Sequence, residues 1–361
     1  MSNNTSDMPR HTNNFGVIRL FLAALVIIGH APEQVDGNPA REPLFWLTGT
    51  TYLGGTAVFG FFLLSGYLIT QSMIRTGDIR VYLAKRLLRI VPGFVVAYLI
   101  SVFLLVPALG GSEALYGRLD SIFLHLIFLN QPPLLLDGIE PHYSTINGAL
   151  WTISYEFRCY LLIALLWAVG VLRRPRMLLM IAGVLCLLTV ITTFDVIARP
   201  LDELTYGRLR SLVLGVPTRN IPYAAAFAVG AVVYVHRGTV LPFLSGRLAL
   251  ITVPVLLVGL LFAHLALLSV ILCGAVILFW LALKANFGPV QKINDQWDIS
   301  YGTYLYGWPC AMLLLVPYPS ISPWLLGPLT LVMALLCGCA SWWIVERRFK
   351  FSARRAVLQP A

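Results

Sequence analysis

The chain has 361 residues, of which 58% are hydrophobic and only 12% charged, and its mean hydropathy is +0.80; that balance excludes an ordinary soluble domain. A net charge of +10 does not point to nucleic acid, because the basic residues are scattered over short loops with no stacking-aromatic or basic-helix module beside them. The six cysteines (Cys159, Cys186, Cys273, Cys310, Cys337 and Cys339) all lie inside apolar segments without metal-ligand spacing, which argues against a disulfide framework or a metal site.

A polar, Asn-rich arm over 1–14 leads into the first apolar run, and no small-residue cleavage pattern closes that run, so it is expected to remain as a span. The apolar runs are long enough to cross a hydrocarbon core of roughly 30 Å as helices. The fold class read from them is an all-α polytopic membrane protein with about ten transmembrane helices. The spans are expected near 16–32, 52–72, 88–109, 148–172, 177–197, 220–236, 248–264, 266–284, 299–317 and 324–346. A further apolar piece, Ser121 to Asn130, is too short to span and is expected as a re-entrant or interfacial helix.

Charge inside a span costs about 2.5–3.5 kcal/mol at its centre, so each ionisable residue there asks for a reason. The first span carries Arg19 and His30. Eleven positions apart at about 100° per residue, they share one helix face and are separated by roughly 16 Å along the axis. Taken alone, the pair serves a function, or Arg19 snorkels to headgroups and His30 merely ends the helix. In the second span "FFLLSGYLIT" (Phe61 to Thr70) sets small Ser65 and Gly66 among aromatics, a pattern of close helix packing.

"AKRLLRIVPG" (Ala84 to Gly93) opens the third span, with Arg86 and Arg89 on one face. It reads either as a positive-inside anchor or, together with Arg19, as a seat for a polyanion such as the phosphates of a nucleotide-bearing donor. The fourth span, "NGALWTISYEFRCYLL" (Asn147 to Leu162), holds Trp151, Ser154, Glu156, Arg158 and Tyr160. Glu156 and Arg158 are two positions apart and point to nearly opposite faces, so each must find a partner on another helix or in water. His125, His142, His236 and His264 read as interfacial polar residues. Near the end of the chain Tyr301, Tyr304 and Trp308 recur at i, i+3 and i+7, forming either an interfacial belt or one polar-tipped stripe.

With the N-terminus in the cytoplasm, most of the 26 Lys and Arg fall inside; Arg41, Arg118, Arg199, Arg208, Arg210 and Arg219 fall outside, and Arg158 lies within a span. That asymmetry puts both ends in the cytoplasm. No repeat or linker divides the chain, so a single transmembrane domain over 15–349 is expected, followed by a short cytoplasmic tail over 350–361.

These features together resemble the acyltransferase-3 family of integral-membrane O-acyltransferases, over nearly the whole chain from Asn14 to Phe349. The first span is similar to the family's Arg-x10-His pattern through Arg19 and His30. "FFLLSGYLIT", "KRLLRIVP" (Arg86, Arg89 and Pro92), "LWTISYEFRCYLL" (Trp151, Ser154 and Glu156), "ISYGTYLYGWP" and the terminal "VERRF" resemble its later motifs, in the family's order. Departures fall at Phe157, Gly307 and Arg348, where the family often has glutamate, histidine and proline; they bear on subfamily and acceptor. Some members carry a C-terminal esterase-like domain, which is not expected here.

The resemblance implies transfer of an acyl group, typically acetyl from acetyl-CoA, to a hydroxyl of a cell-surface polysaccharide or glycoside. The expected location is the bacterial cytoplasmic (inner) membrane, and no tightly bound cofactor is expected. It implies His30 as general base and Glu156 as the second catalytic residue, either orienting the imidazole or binding the sugar. Arg19, Arg86 and Arg89 would hold the donor's phosphates, while Trp151, Ser154, Tyr160, Tyr304 and Trp308 would meet the substrate. The rival reading from another class is a proton-coupled transporter of a small or sugar-like substrate, since intramembrane Glu, His and Arg also build relays; against it stands the absence of two similar halves.

Overall fold

A computed structural model of the protein describes residues 13–109, 119–133, 145–294 and 297–349. Most of the arm, with Arg10, and Arg118, His142 and the tail over 350–361 lie outside the described residues. The described secondary structure is helical throughout: α1 (Phe15–Asp36), α2 (Pro43–Thr48), α3 (Leu53–Thr76), α4 (Ile79–Ile100), α5 (Leu119–Ile127), α6 (Trp151–Ala168), α7 (Pro175–Ile191), α8 (Asp195–Glu203), α9 (Arg208–Leu214), α10 (Pro217–Val235), α11 (Arg237–Phe243), α12 (Gly246–Leu260), α13 (Ala263–Leu283), α14 (Ser300–Leu315) and α15 (Pro323–Ser341).

Each apolar run read from the sequence is a helix, but the helices differ in what they can cross. Five are long and apolar enough to span on their own, namely α1, α3, α4 with its extension to Ala108, α13, and α15 with its extension to Phe349. Two more follow if each bent pair is one span: α7 with α8, bent by 108°, and α9–α10 with α11, bent by 93°. The other three segments are short or charged: α12 has 15 residues, α14 has 16, and α6 carries Glu156 and Arg158 within 18. Among the described residues helix length and composition therefore give five to seven crossings, fewer than the ten expected. The piece over Ser121 to Asn130 is the nine-residue α5, anchored where the Tyr98 hydroxyl donates to the Ile122 carbonyl at 2.7 Å.

Helix ends follow local chemistry. Glycines in the left-handed region close α1 and α3, Gly37 at φ 74° and Gly77 at φ 67°. Asp78 caps α4 by accepting from the Val81 N–H. At the centre α3 is packed by α10, α1, α13, α6 and α4. Its crossing with α10 is made at glycines: a Cβ on Gly66 would overlap the Phe227 carbonyl, and one on Gly230 would overlap the Leu63 carbonyl. Small residues let the two backbones touch, as lipid-embedded helices need when no hydrophobic effect drives them together. Meanwhile α1 lies between α3, α14 and α15, and α7 and α12 turn Met180 and Leu250 outward, 70% and 73% exposed. An outer apolar belt around an enclosed helix bundle is what a bilayer solvent requires.

Candidate active site

The predicted face of α1 is real. Arg19 lines a cavity of about 550 Å³, and His30, further along the helix, lines a chamber of about 40 Å³ that adjoins it. The stripe on α14 runs the same way. Tyr301 lines the large cavity, Trp308 lines the small chamber, and Tyr304 stands in the wall between them. Two neighbouring helices with matching periodicity thus each line both the cavity and the chamber.

His30 is held tightly. Its Nδ1 lies 2.7 Å from the Val26 carbonyl, one turn earlier. A carbonyl only accepts, so Nδ1 carries a proton, and the neutral tautomer with that proton has its lone pair on Nε2. Tyr52 and Trp308 flank the ring edge-on, with centroids at 5.3 and 5.9 Å, and the Trp308 indole is fixed by donating to the Thr145 carbonyl at 2.7 Å. The ring lies so close to α3 that a Cβ on Gly54 would collide with Nδ1 and Cε1. Gly54→Ala should therefore displace the imidazole, and acyl transfer by folded, membrane-inserted variant should fall about 100-fold, the usual penalty for misplacing a reacting group by an ångström.

The large cavity is ringed at one end by Arg19, Lys85, Arg86 and Arg89. Two of these are already neutralised. Asp298 Oδ2 accepts from Arg19 Nη1 at 2.9 Å and from Arg89 Nη2 at 2.6 Å, and Glu346 Oε2 lies 3.1 Å from Arg89 Nη1. Asp298 sits just before the N-terminus of α14, where the helix dipole favours negative charge, and accepts from the Ser300 hydroxyl at 2.7 Å. Glu346 ends a π-helical turn over Trp342–Glu346 that brings it beside Ser341, whose hydroxyl donates to Oε1 at 3.0 Å. Among the described residues Arg86 and Lys85 have no carboxylate partner: Arg86 Nη2 reaches only the Ser72 hydroxyl at 3.4 Å, its buried Nε has no hydrogen bond, and Lys85 donates to Thr76 at 3.0 Å.

Glu156 faces the large cavity and not His30. Its Oε1 accepts from the Ser65 hydroxyl at 2.8 Å and the Tyr160 hydroxyl at 2.6 Å. Of the two roles left open from sequence, orienting the imidazole falls to the Val26 carbonyl instead. Trp151 joins His30 in lining the small chamber, and Tyr160 lines the large cavity. Ser154 is buried, donates to the Trp151 carbonyl of its own helix at 2.9 Å, and lines neither cavity. Arg158 finds its partner elsewhere, donating to the Leu212 and Val213 carbonyls at the end of α9 at 2.7 and 3.0 Å, with its guanidinium 4.7 Å from the Tyr155 ring centroid. Such use of terminal carbonyls offsets the helix dipole there.

Sequence reasoning missed Asp298, Lys85, Thr152 and Tyr52 as site residues, took Ser65 for a helix-packing residue, and took Glu346 only as part of a closing motif. Asp298 carries a faint signal as a lone carboxylate next to a span. Tyr52 and Thr152 carry none, being ordinary polar residues at a span's end.

The helical, membrane-crossing architecture thus sets a half-buried imidazole in a chamber beside a cation-rimmed cavity. The family model described as an acyltransferase domain matches residues 13–347, so the chain belongs to the acyltransferase-3 family. It is 27% identical over 353 residues to the O-acetyl transferase of Shigella phage Sf6, covering 94% of this chain and 96% of that protein. It is also 30% identical over 169 residues to Nodulation protein 10 of Rhizobium leguminosarum bv. viciae, covering 43% of this chain and 44% of that one. No solved structure shows significant similarity to the chain.

Proposed function

We propose that the protein is an acyl-CoA-dependent O-acyltransferase of the bacterial inner membrane, moving a small acyl group, acetyl first, to a hydroxyl of a cell-surface polysaccharide or glycoside. The carrying observation is that one helix, α1, presents a guanidinium to the cation-rimmed cavity and an imidazole with a free Nε2 to the chamber next to it. The O-acetyl transferase relative matched along almost its whole length supports the acyl chemistry. In this reading the backbone crosses ten times with both termini cytoplasmic, the shorter helices α6 and α14 crossing within the bundle and α12 at its periphery.

The donor's phosphates sit against Arg86, with Arg19 and Arg89 behind it, and the pantetheine arm runs along the large cavity past Glu156 and Tyr160. Both bonds to Glu156 fall on Oε1, so Oε2 is free to accept from an amide N–H of that arm. His30 Nε2 takes the acceptor's proton as the hydroxyl oxygen attacks the thioester carbon. Collapse of the tetrahedral adduct breaks the C–S bond, and the imidazolium returns the proton to the departing CoA thiolate, leaving an ester and free CoA. Trp151 and Trp308 line the chamber into which the acceptor hydroxyl would reach.

The test is release of CoA thiol from acetyl-CoA by purified protein in nanodiscs, with surface glycan from the native host as acceptor. Acceptor-dependent release is expected; glycan or small-molecule transport across vesicles without release would move the reading to a transporter. Arg86→Ala should raise the donor KM about tenfold, the loss of one charge-assisted contact, and leave the acceptor KM alone. An unchanged donor KM would return this basic cluster to a topology anchor.

A further inference from the structure

We propose that the His30 chamber is a gauge of acyl-chain length, limiting the transferred group to about two carbons, with Val58, Thr152 and Tyr304 as its entrance. The proposal rests on the donor reading above and adds the feature that selects among donors. The two cavities have three lining residues in common, Val58, Thr152 and Tyr304. Thr152 Oγ1 lies 2.7 Å from Tyr304 Oη and also donates to the Ala149 carbonyl at 3.1 Å. The Thr152 proton is thus committed, so Tyr304 is the donor in the pair, and its hydroxyl is tethered to α6. Phe61 packs edge-on against the Tyr304 ring, centroids 5.7 Å apart.

The acylated end of the donor must pass this entrance for its carbonyl carbon to reach His30 Nε2. Whatever extends beyond that carbon then lies in the chamber. At about 40 Å³ the chamber is more than tenfold smaller than the cavity that adjoins it, and the acceptor hydroxyl must share it with the acyl group, so a short acyl tail is what it suits. Ile27 and Gly307 both line the chamber and pack closely, so that a Cβ on Gly307 would sit 2.7 Å from Ile27 Cγ1. The large cavity, at about 550 Å³, would impose no such limit. Chain-length selection is therefore expected only if chemistry takes place at His30.

The experiment compares kcat/KM for CoA release from acetyl-, propionyl- and butyryl-CoA by the nanodisc protein with native-host glycan. Each added methylene should cost about 10- to 200-fold. Val58→Ala, which removes two methyls at the entrance, should raise the butyryl-to-acetyl ratio at least about tenfold. Ile27→Ala enlarges the chamber from a separate wall and should shift the ratio the same way, so the idea stays testable if one variant fails to insert. Wild-type use of butyryl-CoA within about threefold of acetyl-CoA, or a ratio unmoved in both folded variants, overturns the gauge alone. Release from none of the donors by folded protein overturns the donor reading beneath it.

Discussion

His30→Ala is expected to lower acyl transfer by about 10²- to 10⁴-fold, the range contributed by a positioned general base, while the protein still inserts and folds. The side chain is half-buried at the end of a passage, with one nitrogen committed to Val26 at 2.7 Å and the other facing a chamber. Alanine removes the proton acceptor without leaving a new charge, so the loss should be in kcat more than in the donor KM, since Arg19, at the cation-rimmed end of α1, lies roughly 16 Å away along the helix axis. Radiolabelled acetyl transfer on protein matched for monodispersity measures it. Activity near wild type would remove the imidazole from the chemistry and leave the chamber a packing defect.

The second large effect is on stability. Glu346→Ala should destabilise the bundle by on the order of 1–3 kcal/mol, because it removes the nearly fully buried one, side-chain exposure 1%, of the two carboxylates that hold the Arg89 guanidinium and leaves Asp298 as its remaining ion-pair partner. Asp298→Ala should be worse, since Arg19 and Arg89 share its Oδ2. Thermal inactivation in detergent, followed by loss of the monodisperse peak, reads both. The double variant Glu346→Ala with Arg89→Ala should recover part of the loss, as removing both partners leaves no unpaired buried charge. If both single variants melt with wild type, the network is not holding α4, α14 and the end of α15 together, and Arg19 and Arg89 are free to serve the donor directly.

That network changes how the arginines are to be read. From the sequence, Arg19, Arg86 and Arg89 are equivalent cations on one side of the membrane. In the fold two of them are tied to carboxylates from the far end of the chain, and Arg86 alone among the three is left with a hydroxyl and an unbonded Nε. Lys85 beside it, passed over earlier, shares that condition. The division of labour follows from desolvation: a guanidinium inside a bundle is tolerable when paired, and an unpaired one persists where a ligand or water can reach it.

Composition and periodicity made the membrane class, the helical runs and the common face of Arg19 and His30 legible, because a 3.6-residue repeat specifies which side of a helix a residue occupies and a run of apolar residues specifies its solvent. The stripe of Tyr301, Tyr304 and Trp308 was legible for the same reason. Neither signal says which helix stands opposite. The carboxylates that hold Arg19 and Arg89 lie 279 and 257 positions away, Glu156 turns toward Ser65 and Tyr160 and away from His30, and the wall between cavity and chamber is made where Thr152 meets Tyr304, 152 positions apart. Those pairings arise only when α1, α6 and α14 pack, since a helix face is local geometry and its partner is chosen by the whole bundle.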